Sequence, residues 1–135
     1  MTDEIRNRKV IQLISYFDDL SAYRNLGFED YYANRYSVER LIQLLVDTSV
    51  DLLAHTLKEK GKVTARTYSQ TYITAGNEGL IDNSLAEDLS RIAKIRNELV
   101  HLYGNVEPRN IHDKLNFIID CFYKFIVEIK KYNKQ

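Results

Sequence analysis

Residues 37–53 read SVERLIQLLVDTSVDLL, and the fold follows from how the apolar members are spaced. Val38, Leu41, Ile42, Leu45, Ser49, Leu52 and Leu53 return at three- and four-residue steps, the period that lines one face of an α-helix. The same period recurs on both sides. Downstream it runs through Leu85, Leu89, Ile92, Ile95, Leu99 and Leu102, then through Ile111, Leu115, Ile118, Phe122, Phe125, Ile126 and Ile129. Upstream it runs through Ile5, Val10, Leu13, Ile14, Phe17 and Leu20. No stretch alternates apolar and polar residues between turn signals, so no sheet is expected.

Punctuation is sparse. One proline and five glycines in 135 residues leave room for long elements with few breaks. Ser84-Leu85-Ala86-Glu87 fits a capping box, and Pro108 suits the first position of a helix, where its missing N–H costs nothing. Gly27, Gly61 and Gly104 mark helix ends or turns. The expected fold is all-α: an antiparallel bundle of about five helices at 3–24, 30–60, 65–78, 85–102 and 108–132. Residues 1–135 form a single domain in this reading, with no linker and no internal repeat. A helix over 30–60 would extend ~45 Å, beyond the diameter of so small a globule, which calls for a second copy of the chain to cover its ends. A homodimer is therefore expected.

Composition removes several function classes. Nineteen Lys and Arg balance nineteen Asp and Glu, so the bulk positive charge that grips duplex DNA is missing. The lone Cys121 cannot form an intrachain disulfide or a multi-thiolate zinc site. His55, His101 and His112 lack the spacing of a zinc motif, and no resident metal or cofactor is expected. Phosphate-loop, dinucleotide and nucleophile-elbow patterns are absent. Gly76-Asn77-Glu78-Gly79 has the spacing of an RNA-clamping loop but not the strands such a module needs. Behind Met1-Thr2-Asp3-Glu4 there is no apolar secretory region, and no apolar run approaches a membrane span. A cytoplasmic protein without membrane contact is expected.

One segment carries chemistry. Arg96-Asn97-Glu98-Leu99-Val100-His101-Leu102-Tyr103 groups a guanidinium, an amide, an imidazole and a phenol within eight residues. Arg-x4-His-x-Tyr arises by accident in roughly one chain of this length in several hundred. A single Arg or His on a helix is usually solvated or structurally satisfied; the combination is what argues for function. Arginine offers a fixed charge and a planar fork matched to phosphate oxygens. Histidine titrates near neutrality and suits proton transfer. Together they meet the minimum need of metal-free RNA cleavage. A base takes the 2′-OH proton while a cation stabilises charge on the phosphate, leaving a 2′,3′-cyclic phosphate and a 5′-hydroxyl.

Helical geometry restricts how they act. Arg96 and Tyr103 fall within about 20° of each other around a helix, roughly 10 Å apart along it. His101 falls about 140° from Arg96, so one straight helix cannot bring both to one phosphate. Either the helix breaks near His101, or two copies of the motif meet in a composite cleft on a two-fold axis. The second arrangement is favoured.

The motif resembles the signature of the HEPN superfamily, Arg-x4-6-His with a polar residue directly after the arginine. Tyr103, two residues beyond the histidine, is similar to the HepT-like toxins of HEPN/MNT toxin–antitoxin pairs. Glu39-Arg40-Leu41-Ile42-Gln43-Leu44, Asp51-Leu52-Leu53-Ala54-His55 and Arg91-Ile92-Ala93-Lys94-Ile95 resemble the same family, over roughly residues 30–130. The resemblance implies an all-helical homodimeric toxin that cleaves RNA, tRNA or mRNA, without a metal. Arg96 and His101 would be catalytic, with Asn97 supporting them. Tyr103 would be the residue to which an MNT-type nucleotidyltransferase antitoxin attaches AMP. A non-catalytic module, binding a nucleotide or docking the antitoxin through the same cleft, is the alternative.

Elsewhere the expectations are plainer. Asp51 and His55, one helical turn apart, are expected to form an ordinary ion pair. Tyr31, Tyr32, Tyr36, Tyr68 and Tyr72 are expected mainly in the core with hydroxyls at its rim, although tyrosines also stack RNA bases. Lys130, Lys131 and Lys134 are expected to form a solvated end.

Overall fold

Each helix of this chain starts or stops for a local chemical reason. The computed structural model describes residues 2–62, 67–101 and 106–133, and all of its regular structure is helical. In chain order the helices are α1 (Asp3–Ser21), α2 (Phe28–Ala33), α3 (Arg35–Glu59), α4 (Tyr68–Asn77), α5 (Asn83–His101) and α6 (Pro108–Asn133). Thr2 caps α1, its hydroxyl accepting from the Ile5 N–H at 3.2 Å, with Asp3 and Glu4 in the first turn facing the positive helix end. α3 closes on Gly61 at φ 72°, where the Lys62 N–H reaches the Leu57 carbonyl and the Gly61 N–H reaches Lys58. α4 closes the same way on Gly79 at φ 76°, with the Leu80 N–H on the Ala75 carbonyl. Gly79 is thus a helix stop, which disposes of the RNA-clamp spacing. Pro108 opens α6 as expected.

The boundaries differ from the sequence reading by more than one residue at four places, the first being α1, which ends at Ser21 rather than 24. The helix expected over 30–60 is two helices, because the chain turns at Asn34. There the Asn34 amide donates to the Asp30 carbonyl at 2.8 Å and the Arg35 guanidinium to the Tyr32 carbonyl at 2.7 Å. Side chains thus satisfy carbonyls that a continuing helix would use. The fold remains an antiparallel all-α bundle, with six helices among the described residues. The expected capping box at Ser84 is replaced by Asp82. Its carboxylate accepts from the Ser84 and Leu85 N–H groups at 3.1 and 3.3 Å, so α5 begins at Asn83. The helix expected from 65 begins at Tyr68, because Thr67 is its cap and accepts from the Gln70 N–H.

Splitting the long helix also shortens the overhang. The 25 residues of α3 extend about 38 Å, comparable to the width of a 135-residue globule, so helix length alone no longer calls for a partner.

The core is one continuous cluster. Val38, Ile42, Leu45, Leu52 and Leu53 of α3 join Leu89 and Ile92 of α5 and Ile118, Phe122 and Phe125 of α6. α1 packs on α3, while α5 packs against α3, α4 and α6. The α4–α5 approach is close enough to require glycine. A Cβ at Gly76 would stand 2.8 Å from the Ala86 Cβ, so any larger residue forces the two helices apart. That approach is at the start of α5; the other end of α4 brings Tyr68 beside Arg96. Among the described residues no helix is long and apolar enough to cross a membrane.

Candidate functional site

Arg96 leaves α5 between α3 and α4 and is tied to both. Its Nε–H donates to Asp47 Oδ1 of α3 at 3.0 Å. Its Nη1 donates to the Asn97 side-chain oxygen at 3.2 Å, and its guanidinium carbon lies 4.7 Å from the centre of the Tyr68 ring of α4. The Arg96 side chain is only 18% exposed and Asp47 is 36% exposed, so this pair is better sheltered from solvent than an ordinary surface bridge. Burial pushes the Tyr68 phenol above its ordinary range, and the Asp47 charge pushes the same way, against Arg96. Tyr68 is therefore neutral at physiological pH.

Beside this assembly lies an open groove of about 530 Å³ between α1, α3 and α4, lined by Lys9, Asp47, Asp51, Tyr68 and Thr71 among others. Asp51 pairs with the Lys9 ammonium, and the His55 Nε2 stands 3.5 Å from its other oxygen. The expected Asp51–His55 pair is present, with Lys9 as an added member.

The structure distributes the motif unevenly. α5 runs unbroken through His101, which is exposed and makes no hydrogen bond or ion pair among the described residues. The helix break expected as one alternative is therefore not seen up to His101, and the ~140° separation from Arg96 stands. Arg96 and Asn97 are together; His101 is on another side of the helix. Tyr103 lies outside the described residues, as do Gly104 and Lys134.

The remaining histidine is structural. His112 Nε2 lies 2.6 Å from the Leu26 carbonyl, which only accepts, so that nitrogen carries the proton. Its ring packs 5.2 Å from Tyr31 and 5.6 Å from Phe28. Of the tyrosines, Tyr31 and Tyr72 lie in the core as expected but with their hydroxyls buried rather than at the rim, while Tyr32 and Tyr36 depart from the core expectation at 44% and 68% exposed.

Sequence reasoning missed Asp47 and the place of Tyr68 beside Arg96. Asp47 did leave a sign: it is the one charge inside the apolar run Leu44-Leu45-Val46-Asp47-Thr48-Ser49-Val50.

Chemically, the site offers a sheltered, oriented guanidinium at a groove edge and a solvent-facing imidazole one and a half turns along the same helix. The chain is similar to the tRNA nuclease HepT of Aphanizomenon flos-aquae (strain 2012/KM1/D3), 24% identical over 120 residues that span 87% of this chain and 82% of that protein. Its fold matches a tri-AMPylated Shewanella oneidensis HEPN toxin in complex with MNT antitoxin, with TM-score 0.84 at 19% identity over 97% of this chain and 99% of that one. A MntA-HpeT toxin–antitoxin pair carrying a tyrosine-to-alanine mutation matches with TM-score 0.80 at 17% identity, over 94% of this chain and 98% of that one. The family model described as Ribonuclease HepT-like matches residues 11–129 and so takes in α5 with the whole Arg96–Tyr103 motif; the chain belongs to the HepT-like family.

Proposed function

We propose that this protein is the toxin of a toxin–antitoxin pair and a metal-independent endoribonuclease acting in the cytoplasm as a homodimer of single-domain chains. The observation that carries this reading is the sheltered, pre-oriented Arg96 guanidinium on the helix that presents an exposed His101 at its end. In the cleavage step, His101 removes the proton from a ribose 2′-OH and the 2′-oxygen attacks the adjacent phosphorus. The 5′-oxygen leaves and takes a proton from the imidazolium, giving a 2′,3′-cyclic phosphate and a 5′-hydroxyl. Arg96 holds the phosphate oxygens as charge grows on them, and Asn97 steadies the guanidinium. Because Arg96 and His101 diverge around α5, the working pair is Arg96 from one copy and His101 from the other, across a two-fold axis. Purified protein is expected to cut tRNA or single-stranded RNA equally well with and without EDTA, leaving cyclic-phosphate ends. Cleavage that required Mg²⁺, or ends bearing 5′-phosphates, would contradict the mechanism.

Control by a nucleotidyltransferase antitoxin of the MNT type belongs to the same proposal. AMP attached to Tyr103, two residues past His101, adds a bulky nucleoside and an anionic phosphate that competes for the Arg96 fork. Co-expression with the antitoxin is expected to raise the intact mass of the chain by one or more AMP units. Tyr103→Phe is expected to stay unmodified and toxic under the same conditions. A Phe variant modified to the same extent as its parent would remove Tyr103 as the acceptor.

A further inference from the structure

We infer that Asp47 is the positioning residue of the reaction, setting the Arg96 guanidinium so that its terminal edge faces the scissile phosphate. The inference rests on the nuclease reading above and adds to it a residue from another helix, 49 positions away in sequence.

The geometry is specific. A guanidinium has five N–H donors, and the described contacts take two of them: Nε–H by Asp47 and one Nη1 hydrogen by Asn97. One hydrogen on Nη1 and both on Nη2 remain without partners among the described residues, which leaves the terminal edge available for two parallel bonds to a phosphate. The Tyr68 ring, its centre 4.7 Å from the guanidinium carbon, is a cation–π partner that restricts how the group can turn. Asp47 and Tyr68 also line the same groove, beside the guanidinium. Three helices thus converge on one plane: α3 supplies the carboxylate, α4 the ring and α5 the arginine. An unanchored arginine side chain would sample many rotamers and lose that freedom each time it met substrate.

A carboxylate beside a phosphate-binding arginine also opposes the substrate's charge. Such a residue is expected to weaken ground-state binding slightly while raising the rate of the bound complex, because it fixes direction rather than adding attraction. This gives a signature that a purely structural ion pair would not leave. The test uses the full-length protein and the variants Asp47→Ala and Asp47→Asn, with Arg96→Lys to assign the Arg96 Nε–H signal by NMR. The wild type is expected to show a persistent Arg96 Nε–H resonance that disappears in Asp47→Ala. In the same variant kcat on RNA is expected to fall by about tenfold to a hundredfold with KM changed by less than about threefold. Asp47→Asn, whose amide oxygen still accepts from Nε, is expected to recover part of that kcat. Far-UV circular dichroism and Tm establish that the variants are folded. Loss of the resonance with kcat unchanged overturns the inference, as does a rise in KM alone. If the wild type shows the resonance but cuts no RNA, the nuclease reading fails as well, and the contact is then only a structural ion pair.

Discussion

Replacing His101 with alanine is expected to lower RNA cleavage by about 10²–10⁴-fold, and replacing Arg96 with alanine by about 10²–10³-fold. The two losses have different causes and different side effects. His101 is exposed and unpartnered among the described residues, so its removal takes away proton transfer and little else. His101→Ala is therefore expected to keep the wild-type Tm. Arg96 is sheltered and paired, so Arg96→Ala leaves the Asp47 carboxylate without its cation and also uncovers the Tyr68 ring. A stability loss of about 1–3 kcal/mol should accompany the loss of activity. Arg96→Lys separates the two effects, because an ammonium keeps the charge but has no planar fork. It is expected to restore most of the stability and little of the rate. Single-turnover cleavage measured beside thermal unfolding checks all three variants. Wild-type rates in folded His101→Ala would remove this residue from the chemistry.

The largest expected effect on stability lies far from the site, at Phe122. Its ring is fully buried in α6 within the cluster that joins α3, α5 and α6. Truncation to alanine removes the transfer free energy of the ring and leaves a cavity that the rigid helices around it fill only in part. The expected cost is about 3–5 kcal/mol, against a total of about 5–15 kcal/mol for a domain of this kind. Phe117 and Tyr123 on the same helix are 40% and 58% exposed, and Phe117→Ala and Tyr123→Ala are expected to cost about 1 kcal/mol or less. Urea unfolding should show a lowered midpoint at an unchanged slope for Phe122→Ala and a near-native midpoint for the other two. Equal costs at Phe122 and Tyr123 would contradict the burial assignment on which the bundle rests.

What the sequence revealed was whatever repeats within a helix. The Leu85–Leu99 and Ile111–Ile129 stripes are buried where the 3.6-residue period puts them, because burying one face is what stabilises such a helix. The turn at Asn34 was hidden, since no glycine or proline marks it and the break depends on two side-chain-to-carbonyl hydrogen bonds. The cap at Asp82 was hidden by a better-known pattern two residues later, although its carboxylate occupies the helix entrance and its own N–H is tied to Glu128 of α6. In the site, Arg96, Asn97 and His101 were legible because they share one helix. Asp47 and Tyr68 were not legible as partners of Arg96, because what joins them to it is tertiary packing of α3 and α4 on α5. Spacing along a chain carries no record of such contacts.

The central claim is that Arg96 of one copy and His101 of another act on the same RNA phosphate. Co-expressing Arg96→Ala and His101→Ala chains under two different affinity tags, and purifying the mixed dimer through both, tests it most directly. In a composite cleft the mixed dimer keeps one of its two Arg96–His101 combinations intact. It should therefore cut RNA at about half the wild-type rate, although each parent variant is inactive. A purified mixed dimer as inactive as its parents, beside a wild type that cuts, would place both residues of the working pair within one chain and contradict the account.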